Sequence, residues 1–250
     1  MASKLHIRIV ISVLVLASAL PLLAQTRLID KWLGGLKETD QYLRAQQWEK
    51  AAKRGRQAGA DIVDHAGTGA SPAYSLAVAA VFRAIAEAGL GHQDDAEWLW
   101  DSALNLFPDV AKTSLEPYGP AAAELRKRTL RPVAFDGDPR MRVVGKEGEE
   151  VEVNPHGLNI EHPRIVHQTK PEYPTALRLL EAGGAVVVSS IIGTDGRPRQ
   201  PVVLDTQGGG PAMKYVALDT LRQWRFEPAK LDGKPVAVFY VLTVNFKVSK

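Results

Sequence analysis

The last third of the chain has the least freedom in how it can fold. Residues 185–192, AVVVSSII, form a run of high β propensity that ends in 193-GTDGRP-198, a stretch whose residues tolerate positive φ. Gln200 to Thr206 then reads as the returning strand. Gly208–Gly210 leads into a helix with Pro211 at its first position, where a missing N–H costs nothing. Met213, Val216, Ala217, Leu221 and Trp224 fall on one face of that segment. Upstream, Thr175–Ala182 reads as a short helix entered after Pro174 and stopped by Gly183 and Gly184. After Gly233 a long strand is predicted from Val236 to Val248. The order helix, strand, strand, helix, strand predicts an α+β domain of two helices on an antiparallel sheet of three strands over residues 163–250, able to fold alone.

The rest of the chain follows a different pattern. Residues 25–130 are alanine-rich, poor in β-branched runs, and broken at 66-AGTGASP-72 and at Pro108, Pro117 and Pro120, so a helical domain is predicted. Tyr42, Trp48, Glu49, Ala51 and Ala58 resemble the landmarks of a tetratricopeptide helix pair, and Ala84, Ala96, Trp100, Ala103 and Pro108 resemble them again. In such pairs small alanines let helices approach closely while an aromatic fills the groove beside them. An antiparallel bundle is the other reading. Residues 131–162 loosen into a linker in which 141-MRVVG-145 and 151-VEVN-154 suggest a hairpin. Charge also divides: residues 25–160 hold 17 basic and 20 acidic groups, residues 161–250 hold 12 and 8.

Residues 1–24 have the three parts of a secretory signal, with Lys4 and Arg8 followed by an uncharged run from Ile9 to Ala24. That run is shorter than the ~20 residues a spanning helix needs. Cleavage is expected after Ala24; a short anchor retained in the inner membrane is the alternative. Either way the remainder is expected in the periplasm. Without residues 1–24 the formal charge of +3 falls to +1, which leaves no basic excess for nucleic acid. There is no cysteine, so thiolate metal sites, disulfides and cysteine nucleophiles are excluded.

A search for catalytic chemistry finds no nucleophile elbow and no zinc-protease or deaminase signature, and the Gly208–Gly210 run lacks the Lys-Ser/Thr of a phosphate loop. Glu161, His162 and His167 lie in a Pro-flanked stretch with no further ligand at metal spacing. Asp195-Gly196 reads as a turn, Asp94 and Asp95 as the first turn of a helix, and Trp48, Trp98 and Trp100 as packing. No enzyme, cofactor or metal is expected.

Three segments, 170-KPEYPTALRLLEAGG-184, 185-AVVVSSIIGTDGRP-198 and 223-QWRFEPAKLDGKPV-236, resemble the C-terminal domain of the TonB family of energy transducers. Pro171, Tyr173, Pro174 and Ala176, then Val186, Val188, Asp195 and Gly196, then Trp224, Phe226, Pro228, Ala229, Gly233, Pro235, Val236, Val244 and Phe246 carry the likeness in the family's order. The resemblance implies a periplasmic domain that grips a segment of an outer-membrane receptor, passing on work from inner-membrane motor proteins. Lys170 stands where family members often have Gln, close to the bound receptor. The family's extended Pro-rich spacer is replaced here by the helical region, and the apolar run lacks the family's histidine. The alternative function is a periplasmic tetratricopeptide-type scaffold that transduces no energy.

The grip itself can be argued from the last strand. At ~3.3 Å per residue, Val236–Val248 would be about 40 Å long and would lie at a sheet edge. Val236, Val238, Tyr240, Leu242, Val244 and Phe246 would face the helices, leaving Ala237, Phe239, Val241, Thr243 and Asn245 on the outer face. Such an edge invites strand addition by a partner. The candidate partner-binding residues are therefore Lys170, Tyr173, Ala237, Phe239, Val241, Thr243 and Asn245. The linker hairpin, or a second copy in a homodimer, could instead cover the edge.

Overall fold

The computed structural model of the chain describes residues 22–65, 72–130, 142–144, 150–152, 160–179 and 183–247. The predicted signal thus lies outside the described residues, apart from Leu22–Ala24, which open the first helix. Helices α1 (Leu22–Arg44) and α2 (Trp48–His65) form one antiparallel hairpin, and α3 (Ala73–Gly89) and α4 (Gln93–Leu106) a second. Each tight turn uses a left-handed residue, Gln46 in the first and Gly91 in the second. Ala51 and Ala58 on α2 and Ala96 and Ala103 on α4 are all fully buried, so the alanines do let neighbouring helices approach closely. Trp48 lies against Gly89, where any side chain would collide with the indole ring. After two 3-10 turns, α5 (Pro120–Leu125) closes the region by packing on α3.

Two short strands, β1 (Arg142–Val144) and β2 (Glu150–Glu152), pair antiparallel as the linker hairpin. Strands β3 (Ile160–Glu161) and β4 (Arg164–His167) precede α6 (Thr175–Leu179); residues 180–182 of the expected helix lie outside the described residues. Strands β5 (Gly184–Ile192) and β6 (Pro198–Gln207) follow, joined by the expected turn, in which Gly196 takes φ +73°. A Cβ on Gly196 would meet the Phe226 carbonyl, so both its conformation and its neighbour require glycine. Helix α7 (Gly210–Leu221) then crosses the sheet.

The end of the chain differs from the expected single strand. It divides into β7 (Arg225–Glu227), β8 (Ala229–Leu231), β9 (Lys234–Val236) and β10 (Val238–Phe246). Asp232 and Gly233, both at positive φ, form a tight turn that folds β9 back on β8, so Val236 belongs to a different sheet. The last strand is therefore nine residues, roughly 30 Å, rather than about 40 Å. The main sheet has the order β2-β1-β10-β5-β6: the three expected strands are present, and the linker hairpin adds two.

Helix α7 is buried on two sides. Met213, Ala217 and Leu221 are buried, as their periodicity predicts, but so are Tyr215 and Leu218. The second buried side meets the helical region: the Trp98 indole N–H donates to the Leu218 carbonyl at 2.9 Å, and Tyr215 Oη reaches Gly59 on α2. Trp224 ends this layer, 3% exposed, its indole N–H donating to the Thr169 carbonyl at 3.0 Å.

Candidate strand-binding edge

The register of β10 fixes which of its backbone groups are committed. Along its whole length it pairs with β5, from Val238 opposite Ile192 to Phe246 opposite Gly184, without a register shift. On its other side β1 meets it at one register pair, Val143 opposite Val238, and the Val144 N–H donates to the Ala237 carbonyl at 2.9 Å. The N–H and C=O of one strand residue point to the same side and alternate along the strand. The Ala237 carbonyl faces β1, so the backbone groups of Val241, Thr243 and Asn245 face that side too, away from β5. Among the described residues no strand pairs there beyond Val238.

Side-chain orientation follows the same alternation. Leu242, Val244 and Phe246 are buried under the helices, while Val241, Thr243 and Asn245 are exposed. Val241, 41% exposed, is one of three exposed large apolar side chains among the described residues; the other two, Ile165 and Val166, lie on β4. The edge thus offers backbone donors and acceptors to a fourth neighbour of the three-strand core, and an apolar side chain beside them.

The other candidate residues divide around this edge. The Ala237 carbonyl is already used by β1, and Phe239 is half-buried and engaged. Tyr173 packs edge-on against Phe246, with ring centroids 5.8 Å apart, which puts it at the C-terminal end of β10. Lys170 is elsewhere: it lines a cleft of about 510 Å³ between α2, α7 and residues 169–174, together with Arg56, Asp64, Glu172 and Asp219. The cleft floor holds an ion pair between buried Arg83 and half-buried Asp219 at 2.6 Å, and Arg83 also donates to Tyr215 Oη at 2.9 Å. Burial pushes the Asp219 carboxyl up, but Arg83 and Arg222 outweigh it and hold Asp219 below its ordinary range. Glu161 pairs with Lys230, and His162 and His167 are exposed on the surface.

Sequence reading missed the contacts that fasten the two regions together. Arg199 reaches Asp94 and Arg222 reaches Asp95, so the two acids at the start of α4 do more than favour the helix dipole. The Asn105 side chain meets the backbone of β6. The only available signal was the charge division along the chain, which sets a mildly acidic region against a basic one.

The C-terminal part of the chain is thus an antiparallel sheet under α6 and α7, in which, among the described residues, the outward side of β10 is unpaired beyond Val238, and the comparisons place it in a family. Residues 169–248 match the family described as Gram-negative bacterial TonB protein C-terminal, and this part of the chain is a TonB-family C-terminal domain. The chain is 30% identical over 90 residues to Protein TonB of Vibrio cholerae serotype O1, a stretch covering 36% of each sequence, so the match spans little more than a third of that relative's length. It is also similar to the C-terminal domain of Pseudomonas aeruginosa TonB solved by NMR, at 26% identity, covering 36% of this chain and 90% of that one, with a TM-score of 0.31.

Proposed function

We propose that this chain is an exported TonB-like protein of the periplasm that binds an extended segment of an outer-membrane receptor and serves TonB-dependent transport. The observation that carries this reading is the outward-facing backbone of Val241, Thr243 and Asn245 on an edge whose opposite side is fully paired. A receptor segment adding there would gain main-chain hydrogen bonds for affinity, and Val241 and Asn245 would read its alternate side chains. Tyr173 lies where such a strand would run off the end of β10. The work of the domain is binding, not catalysis.

Export is argued from Lys4, Arg8 and the apolar run that follows them. Among the described residues no helix is long and apolar enough to cross a membrane. With cleavage after Ala24, the mature chain would begin at Gln25, and coupling to inner-membrane motor proteins would require a separate anchored partner. Sequencing the mature N-terminus distinguishes this from a retained anchor.

Hydrogen exchange with and without a receptor-segment peptide tests the binding mode. The amides of Val241, Thr243 and Asn245 are expected to gain protection, while those of the β5–β10 ladder stay as they are. Protection appearing instead around Lys170 and the neighbouring cleft would reject strand addition.

A further inference from the structure

An open antiparallel sheet has two edges, and a domain that binds by strand addition must stop the wrong one from pairing. On one side the sheet ends in the short β1–β2 hairpin, which among the described residues leaves the outward side of β10 unpaired beyond Val238; on the other it ends at β6, against which α4 packs. At the contact the Asn105 side chain behaves as a short piece of neighbouring strand. Its Nδ2 donates to the Pro201 carbonyl at 2.8 Å, and its Oδ1 accepts the Val203 N–H at 2.8 Å. The remaining Nδ2 hydrogen reaches the Asp101 carbonyl on α4 itself at 2.8 Å, which fixes the orientation of the amide. One side chain thus satisfies a donor and an acceptor that β6 would otherwise present outward.

The rest of the helical region holds α4 in that position. Trp98, two helical turns before Asn105 on the same element, bonds the backbone of α7. Asp94 and Asp95 pair with Arg199 on β6 and with Arg222 just after α7. Arg83 on α3 is buried against Tyr215 and Asp219. Helices α2, α3 and α4 all pack on the chain's own α7, and α4 packs on β6 as well.

We propose that the helical region is an intramolecular edge guard: it masks β6 through Asn105 and confines strand pairing to the β10 edge. The inference rests on the proposed strand-binding role of β10 for what is confined, whereas the masking of β6 is read from Asn105 alone, so the test at β6 can fail or succeed independently of receptor binding. The test uses the full chain carrying Thr243→Pro, which blunts the β10 edge, with and without Asn105→Ala. Two quantities are read: hydrogen exchange of the Val203 amide, and self-association by sedimentation.

With Asn105→Ala, the Val203 amide is expected to exchange at least about tenfold faster, and the protein to self-associate where the single variant stays monomeric. If Val203 exchange accelerates with no self-association, Asn105 merely fastens α4 to β6 and the guard is wrong. Unchanged Val203 exchange also overturns it. Should the alanine variant fail to fold, Asn105→Ser, which also withdraws the amide, is measured in its place against the same outcomes.

Discussion

Burial carries the Asp101 carboxyl up to about 6, against the pull of Arg128, which bonds it at 3.0 Å. Its folded value lies above the ordinary carboxylate value, so the folded chain holds this proton more tightly than the unfolded one. Stability from this group is therefore fully present below about pH 4 and is lost as pH rises through about 6. Asp101→Asn is expected to remove that slope: melting temperatures of the two proteins should agree near pH 4, and the variant should be the more stable at pH 8. The opposite trend would show that the Arg128 pair outweighs burial. Trp224 is the other residue with a firm expectation. It is 3% exposed, so Trp224→Ala should cost roughly 3–5 kcal/mol in urea unfolding, and a loss below about 1 kcal/mol would contradict its packing. The sequence made Trp224 legible because it closes an apolar stripe on α7. Asn105 was not legible, since a lone polar residue near a helix end carries no sign of a partner 96 positions away.

At the level of elements, periodicity located the helices and the β5–β6 hairpin well, and the turns that join them followed from Gly and Asp. It failed where an element has two buried sides. Only the sheet-facing stripe of α7 stood out, because Tyr215 and Leu218 lie off that stripe and their partners sit on α2 and α4. It also overran the start of the last strand, since β-branched Val236 fits the alternation of β10, and the Asp232–Gly233 turn that assigns it to β9 acts through pairing with β8. Gly59 tests the α2–α7 contact directly. A Cβ there would strike the Tyr215 hydroxyl, and Tyr215 is too buried to move aside. Gly59→Ala should therefore cost roughly 1–3 kcal/mol. Combining it with Tyr215→Phe, which deletes the struck oxygen, should give less than the sum of the two single losses in a double-mutant cycle. Strict additivity would mean that the two helices do not meet at this point.

Across the whole molecule, the expected two domains share one buried core, in which Trp98 of the helical region and Tyr215, Leu218 and Met213 of the sheet domain belong to the same cluster. Sequence alone could not join them, because each half has its own period and the contacts between them are single side chains. The full chain is expected to melt in one calorimetric transition, and two resolved transitions would show independent units. The segment from Pro163 to Lys250, which the sequence suggests could fold alone, would expose Tyr215 and Leu218, and should melt below the full chain. The proposed binding of a partner strand on the outward side of β10 is probed most sharply by proline at Thr243. The Thr243 N–H points away from β5 and its side chain is exposed, so Thr243→Pro removes a donor from the edge and leaves the β5 ladder intact. Calorimetric titration with a receptor-segment peptide, with a thermal melt as control, should show binding lost while the fold persists. A folded Thr243→Pro protein that binds the peptide as the wild type does would rule out strand addition at β10.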